Sequence, residues 1–192
     1  MSERANRSEI LNLPNILTTI RILLAPAILV AFFNEPKDKR VLSLCLFLAA
    51  GLTDCLDGFF ARRMHQITRL GMILDPIADK LLTATMLFCL VWSKTVNPAV
   101  LIVIVVKELY MAVGASICLR KKIDVCADVF GKTATVLFYP AVMLCWPWHG
   151  VKTLTVIGQV LIYISAALSI IAAIHYTLNS LQKYREMKNS GQ

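Results

Sequence analysis

The sequence is poor in charged residues and has no paired cysteines of the kind that bind metals or form disulfide frameworks. Only 17% of its 192 residues are charged, whereas about 25% is usual for soluble domains. Its six cysteines include no Cys-x-x-Cys pair, and most lie within apolar runs, which argues against a zinc site and a disulfide-stapled fold. We therefore do not expect an ordinary soluble domain, and we expect the cysteines to pack as small apolar residues.

The sequence instead contains several long apolar runs. Hydrophobic residues make up 57% of the chain, and several runs reach the roughly 20 residues needed to cross a bilayer. We predict an all-α, polytopic membrane protein with six transmembrane helices, at about 15–33, 40–60, 72–92, 98–119, 133–148 and 154–178. Residues 1–192 would form a single membrane domain, with a short interfacial helix in the juxtamembrane segment 1–13 and a polar, poorly ordered tail at 179–192.

The net charge of +8 fits a membrane surface better than nucleic acid. The basic residues lie mainly at the ends of the predicted spans, where Lys and Arg set topology and meet anionic lipid headgroups. Most of the basic residues outside the spans fall on the side that holds both termini. By the positive-inside rule, we predict a multi-pass protein of the cytoplasmic membrane with both termini in the cytoplasm.

Four aspartates interrupt these apolar helices at the predicted cytoplasmic ends of the second and third spans. Asp54 and Asp57 are spaced i, i+3, and Asp75 and Asp79 are spaced i, i+4, so each pair lies on one helical face. A carboxylate within a membrane helix is costly unless a cation or a water-filled cavity compensates it. Oxygen ligands in this arrangement predict a cytoplasmic-facing site for hard divalent metal ions.

Small and basic residues beside the first aspartate pair indicate a phosphate ligand. Gly58 and Ala61 lie on the same face and leave room for a ligand to approach, and Arg62 can bind phosphate oxygens with its planar guanidinium. Two metal ions would clamp a diphosphate, and Asp79 could accept a proton from an attacking hydroxyl. The alternative is a structural cluster of ion pairs between the aspartates and Arg62, Lys80 and Lys107.

The stretch resembles the signature of the CDP-alcohol phosphotransferase (phosphatidyltransferase) family. That signature reads Asp, two residues, Asp-Gly, two residues, Ala-Arg, eight residues, Gly, three residues, Asp, three residues, Asp. Its fixed positions are met by Asp54, Asp57, Gly58, Ala61, Arg62, Gly71, Asp75 and Asp79. The resemblance implies a membrane enzyme that uses two Mg2+ or Mn2+ ions to displace CMP from CDP-diacylglycerol with an alcohol.

The resemblance also implies roles for individual residues. Asp54, Asp57 and Asp75 would bind the metal ions, and Asp79 would complete the second metal site and act as the catalytic base. The CDP-lipid would be contacted by Asn15, Thr18, Gly58, Ala61, Arg62, Thr68 and Gly71. For the acceptor we expect contacts from Arg21, Lys107, Arg120 and Lys132. A homodimer is implied as well.

Within the family, the stretches at 13–21 and 74–80 look like those of phosphatidylglycerophosphate synthases, which implies sn-glycerol 3-phosphate as the acceptor. Those enzymes tend to have Arg-Glu where this chain has Lys107-Glu108, and a second lysine in the run that opens with Gly131-Lys132. Phosphatidylglycerol (giving cardiolipin), an inositol phosphate and serine therefore stay open as acceptors. A cation or proton transporter is the alternative from another class, but the chain shows no internal repeat.

Overall fold

The helical prediction is confirmed over the part of the chain that the structure describes. This computed structural model describes residues 13–36, 40–64, 69–120, 129–146 and 151–189, and the side chains of 18–36, 40–53, 77–118, 130–146 and 151–187. Within those ranges the chain forms helices and no strand: α1 (Leu13–Asn34), α2 (Val41–Met64), α3 (Arg69–Trp92), α4 (Pro98–Arg120), α5 (Val129–Cys145) and α6 (Lys152–Asn189). The interfacial helix predicted at 1–13 lies outside the described residues, except for Leu13.

Local side-chain chemistry explains where α2 and α4 begin. The Glu35 carboxylate accepts hydrogen bonds from the backbone N–H groups of Leu42 (2.8 Å) and Ser43 (3.1 Å), which satisfies N–H groups that the first turn of a helix leaves unpaired. Before α4, Asn97 Oδ1 accepts from the N–H of Ala99 at 2.9 Å, and Pro98 fits the first helical position because it needs no N–H partner there.

Two of the described helices are long and apolar enough to cross a membrane. They are the segments Pro98–Cys118 of α4 and Lys152–Met187 of α6. On α4 the apolar side chains of Ile102, Leu109 and Val113 are each at least 60% exposed, which suits contact with lipid better than contact with water. These helices indicate a membrane protein, while the count of six spans stays a prediction.

The chain divides into two compact units, and the first holds α1, α2 and α3. This unit comprises residues 1–93 and 146–150. Helix α1 packs against both α2 and α3, and the fully buried side chains of Ile28, Phe32, Phe47, Leu82 and Met86 fill the space between them. The three helices thereby fix the relative positions of residues on α1 and α3 that the sequence assigns to the site.

A buried arginine, Arg40, connects several segments of the first unit. The Arg40 guanidinium lies 3.7 Å from the centre of the Phe32 ring, a cation–π geometry, and its Nη1 donates to Ser93 Oγ at 2.7 Å. The Arg40 carbonyl accepts from Trp146 Nε1 at 2.8 Å. Arg40 is therefore a basic residue that is buried inside the protein.

The second unit holds α4, α5 and α6 and comprises residues 94–145 and 151–192. Helix α6 packs closely along α5, and α4 contacts α6. The backbones of α5 and α6 lie close together at Gly158, where a Cβ would lie 2.5 Å from the backbone nitrogen of Cys145 and 2.9 Å from the carbonyl oxygen of Ala141. Only glycine allows the two backbones to come so near each other.

The polar tail differs from the prediction, because α6 continues through it to Asn189. No glycine or proline interrupts the sequence between Gly158 and Asn189, so nothing in the backbone forces the helix to end at the polar residues. Ser180 Oγ donates to the carbonyl of Tyr176 one turn earlier, within the continuous helix. The poorly ordered tail expected from Asn179 is therefore wrong up to Asn189.

Candidate functional site

Helices α1 and α3 bring two of the candidate residues together. Arg21 Nη1 donates to Asp79 Oδ1 at 3.4 Å across the α1–α3 interface. The two side chains differ in exposure, since that of Arg21 is 1% exposed and that of Asp79 is 44% exposed. The buried guanidinium therefore holds a carboxylate that can still meet a ligand from outside the helix pair.

The neighbours of both residues fix this arrangement. Thr18, one turn before Arg21 on the same face of α1, is fully buried. Ala78, the residue before Asp79, is fully buried as well, so the backbone of α3 at Asp79 is anchored in the core of the first unit. The backbone of Asp79 is fixed by the core, and one of its carboxylate oxygens is hydrogen-bonded to Arg21. Such a side chain loses little conformational freedom when it binds a ligand.

The other aspartates lie on continuous helices, as their spacing requires. Asp54 and Asp57 belong to α2, and Asp75 belongs to α3 together with Asp79. Their i, i+3 and i, i+4 spacings therefore place each pair on one helical face. The side chains of Asp54, Asp57 and Asp75 are outside the described set, and the described side chains include no cluster of three or more His, Cys, Asp or Glu residues.

The remaining residues predicted to contact the CDP-lipid are placed by their helices alone. Asn15 lies in the first turns of α1, Gly58, Ala61 and Arg62 lie in α2, and Gly71 lies in α3. Thr68 is outside the described residues. The structure thus gives these positions a helical backbone and leaves their contacts as predictions.

In the second unit, Lys107 of α4 makes two polar contacts. Its ammonium donates to Ser169 Oγ of α6 at 2.7 Å and contacts the carboxylate of the neighbouring Glu108. The side chain of Lys107 is 16% exposed and that of Glu108 is 26% exposed. Lys132 on α5 is exposed, and Arg120 is the last residue of α4.

Two of these contacts were not expected from the sequence. We expected Arg21 to contact the acceptor and named no protein partner for it, and the structure pairs it with Asp79, one of the predicted metal ligands. Ser169 was not singled out, and the only available signal was a hydroxyl within the apolar stretch of α6. Neither pairing follows from spacing along one helix, because the partners are 58 and 62 residues apart.

The arrangement around Asp79 is suited to binding a cation or accepting a proton. A carboxylate offers hard oxygen ligands to a divalent cation and can accept a proton from a hydroxyl. Arg21 compensates its negative charge in surroundings that would otherwise disfavour it. An anchored and accessible carboxylate of this kind is what proton abstraction or metal binding requires.

Comparison with known proteins shows similarity to phosphatidyltransferases along most of the chain. The CDP-alcohol phosphatidyltransferase family profile matches residues 11–171. A protein of Rickettsia felis is 31% identical over 176 residues, which are 90% of this chain and 97% of that protein. One of Aquifex aeolicus is 33% identical over 177 residues, again 90% and 97% of the two chains.

A third relative, from Haemophilus influenzae, is 32% identical and covers 86% of this chain and 91% of its own length. All three are named CDP-diacylglycerol–glycerol-3-phosphate 3-phosphatidyltransferase. The family match includes the whole aspartate signature, Arg21 and Lys107. The chain therefore belongs to the CDP-alcohol phosphatidyltransferase family.

Proposed function

We propose that this protein transfers the phosphatidyl group of CDP-diacylglycerol to sn-glycerol 3-phosphate, giving phosphatidylglycerophosphate and CMP. The observation that carries the proposal is the similarity along nearly the full length of relatives named for this reaction. The half-exposed Asp79, anchored by Arg21, supports it by supplying a base in the family's signature.

The reaction is an in-line displacement at the phosphorus next to the diacylglycerol. The acceptor hydroxyl forms a bond to this phosphorus, and the bond from phosphorus to the bridging oxygen of CMP breaks, so that CMP leaves with the electron pair. An Asp79 oxygen takes the proton that the hydroxyl loses. Arg21 keeps the Asp79 carboxylate in place during this transfer.

The donor set fits two divalent metal ions, Mg2+ or Mn2+, held by Asp54, Asp57, Asp75 and Asp79. All four are carboxylates on helical faces of α2 and α3, and hard oxygen donors are the ligands these ions prefer. When bound, the ions would neutralise the diphosphate and the departing CMP. The alternative is a cluster of structural ion pairs alone. We favour metal ions because the Asp79 side chain is 44% exposed while Arg21 contacts one of its oxygens, so the carboxylate stays accessible to a cation.

Further residues have proposed places around the substrates. Gly58, Ala61 and Gly71 would leave room for the diphosphate, and Arg62 would bind one of its oxygens. Nucleotide contacts would come from Asn15, Thr18 and Thr68. The acceptor phosphate would be drawn in by basic side chains, namely Lys107, Arg120 and Lys132. Arg21, which we also expected at the acceptor, is buried and pairs with Asp79, so its proposed role is to hold that carboxylate.

The proposed setting is the cytoplasmic membrane, with both termini and the site on the cytoplasmic side. The distribution of Lys and Arg supports this orientation, and CDP-diacylglycerol would reach the site from the bilayer. We also propose a homodimer, on the resemblance to the family alone.

An acceptor panel tests the proposal. Purified protein in detergent would be incubated with CDP-diacylglycerol, Mg2+ or Mn2+ and one acceptor at a time: sn-glycerol 3-phosphate, phosphatidylglycerol, inositol phosphate or serine. We expect CMP release and a new lipid with glycerol 3-phosphate, identified by mass spectrometry. Turnover with another acceptor only would replace the proposed substrate, and no CMP release with any acceptor would refute the proposal.

A further inference from the structure

Lys107 carries a positive charge in the middle of an apolar helix, and α6 supplies a partner for it. An ammonium group is costly within a membrane helix unless it is paired. Here Lys107 Nζ donates to Ser169 Oγ at 2.7 Å and contacts Glu108 Oε1. With only 16% of its side chain exposed, the lysine is held between two helices of the second unit.

The geometry leaves part of the ammonium for a ligand. A lysine ammonium has three N–H donors and no acceptor, and two of them are accounted for by Ser169 and Glu108. Among the side chains that the structure describes, Lys107 has no third partner. The remaining donor can therefore bind an anionic oxygen without breaking the existing contacts.

The hydroxyl of Ser169 makes a different contact from those of Thr177 and Ser180, which follow it on α6. Thr177 and Ser180 donate to backbone carbonyls one turn earlier in their own helix, the usual behaviour of such residues within helices. Thr177 also contacts a side chain of α4, the Tyr110 hydroxyl at 3.0 Å, but only in addition to its own backbone bond. The described contact of the Ser169 hydroxyl is the hydrogen bond that it accepts from Lys107 on α4. Its contact serves Lys107 rather than the backbone of its own helix.

We infer that Ser169 is a positioning residue that fixes the Lys107 ammonium to receive the phosphate group of the acceptor. The inference rests on the proposed function, which assigns Lys107 to the acceptor. Lysine is a point charge on a flexible four-carbon stem and lacks the rigid fork of arginine. A hydrogen bond from α6 removes much of that flexibility before the acceptor arrives, which lowers the entropic cost of binding.

The test compares Ser169→Ala with Ser169→Thr in full steady-state kinetics for both substrates. For Ser169→Ala we expect KM for glycerol 3-phosphate to rise about tenfold, the loss typical of one hydrogen bond to a charged group. KM for CDP-diacylglycerol and kcat should stay near wild type. Ser169→Thr keeps a hydroxyl at the same atom position and should restore most of the affinity.

Ser165→Ala is the matched control on the same helix. Ser165 is buried one turn earlier and donates to the carbonyl of Ala134 on α5 at 2.8 Å, so its loss affects the packing of α5 and α6 and not Lys107. We expect a lower thermal stability for this variant and an unchanged ratio of the two KM values. If Ser169 has only a structural role, Ser169→Ala will also show lower thermal stability with an unchanged ratio of the two KM values. That result would overturn the inference.

A double-mutant cycle shows whether Ser169 acts through Lys107. In a Lys107→Ala background, Ser169→Ala should add no further increase in KM for glycerol 3-phosphate, because the group that it positions is absent. An additive increase would contradict the inference. If wild type turns over glycerol 3-phosphate and Ser169→Ala leaves the KM for it unchanged, only the positioning role of Ser169 fails. If wild type shows no glycerol-3-phosphate-dependent CMP release, the proposed function and this inference fail together.

Discussion

At the scale of single residues, the contact between Arg21 and Asp79 explains how a charged site is kept in an apolar protein. The guanidinium is almost fully buried while the carboxylate is half-exposed. Burying a lone charge is unfavourable, so each group lowers the cost of the other. In the proposed mechanism the exposed Asp79 accepts the proton, and the buried Arg21 holds it in place.

We predict that Arg21→Lys lowers kcat/KM by about 10- to 100-fold, the effect of losing a hydrogen bond to a charged group in a fixed geometry. The lysine keeps the charge but loses the planar fork that reaches Asp79 Oδ1. The rate of CMP release at saturating acceptor gives kcat, and the rate at limiting acceptor gives kcat/KM.

Arg40→Lys is the matched control, because Arg40 is also buried but packs on Phe32 and Ser93 at another end of the same unit. It should lower the thermal unfolding temperature and leave kcat/KM close to wild type. Equal kinetic effects of the two substitutions would show that Arg21 contributes only to folding.

At the scale of helices, the close contact of α5 and α6 depends on one glycine. A Cβ on residue 158 would lie 2.5 Å from the Cys145 nitrogen, and the neighbouring atoms are backbone that cannot rotate away. The two helices would have to separate, with a loss of the packing along their length.

We therefore predict that Gly158→Ala destabilises the protein by about 1–3 kcal/mol, the usual cost of overpacking a close contact. Gly114→Ala is the control, since its Cβ would meet only Tyr176 Cε1 at 3.9 Å, an ordinary contact distance. Thermal unfolding in one detergent measures both. Equal unfolding temperatures for the two variants would contradict the close approach.

The helices and the aspartate positions could be predicted from the sequence because both depend on local patterns. Apolar runs of sufficient length define a helix in a membrane protein, and the i, i+3 and i, i+4 spacings fix a shared face. The helix of the polar tail could not be predicted from polarity, because polar residues without glycine or proline can continue a helix as well as form a disordered tail.

The pairings between helices could not be predicted, because they depend on how the helices are rotated against each other. The burial of Arg40 under Trp146 and the contact of Lys107 with Ser169 join residues far apart in the sequence. Spacing within one helix carries no information on such partners.

At the scale of the whole molecule, α6 extends beyond what one crossing of a membrane requires. Its 38 residues would span about 57 Å at 1.5 Å per residue, against about 30 Å for the hydrocarbon core. The polar last turns, which include Lys183 and Arg185, would therefore lie outside the hydrocarbon, where basic residues favour the cytoplasmic surface.

The reaction should depend on divalent metal ions, since the proposed centre consists of carboxylates that face a diphosphate. We predict that EDTA abolishes CMP release and that Mg2+ or Mn2+ added in excess restores it. The measurement is CMP release before chelation, after chelation and after each addition. Undiminished turnover in EDTA would contradict a metal-dependent mechanism.

The most direct test of the central claim is to measure CMP and phosphatidylglycerophosphate together, with CDP-diacylglycerol and sn-glycerol 3-phosphate as the only substrates. Wild type, Asp79→Asn and the surface control Glu186→Gln would be compared in the same detergent. We predict equimolar products from wild type and Glu186→Gln, and a rate for Asp79→Asn lower by about 100-fold or more, the contribution of a general base. Absence of glycerol-3-phosphate-dependent CMP release by wild type, or full turnover by Asp79→Asn, would contradict the account.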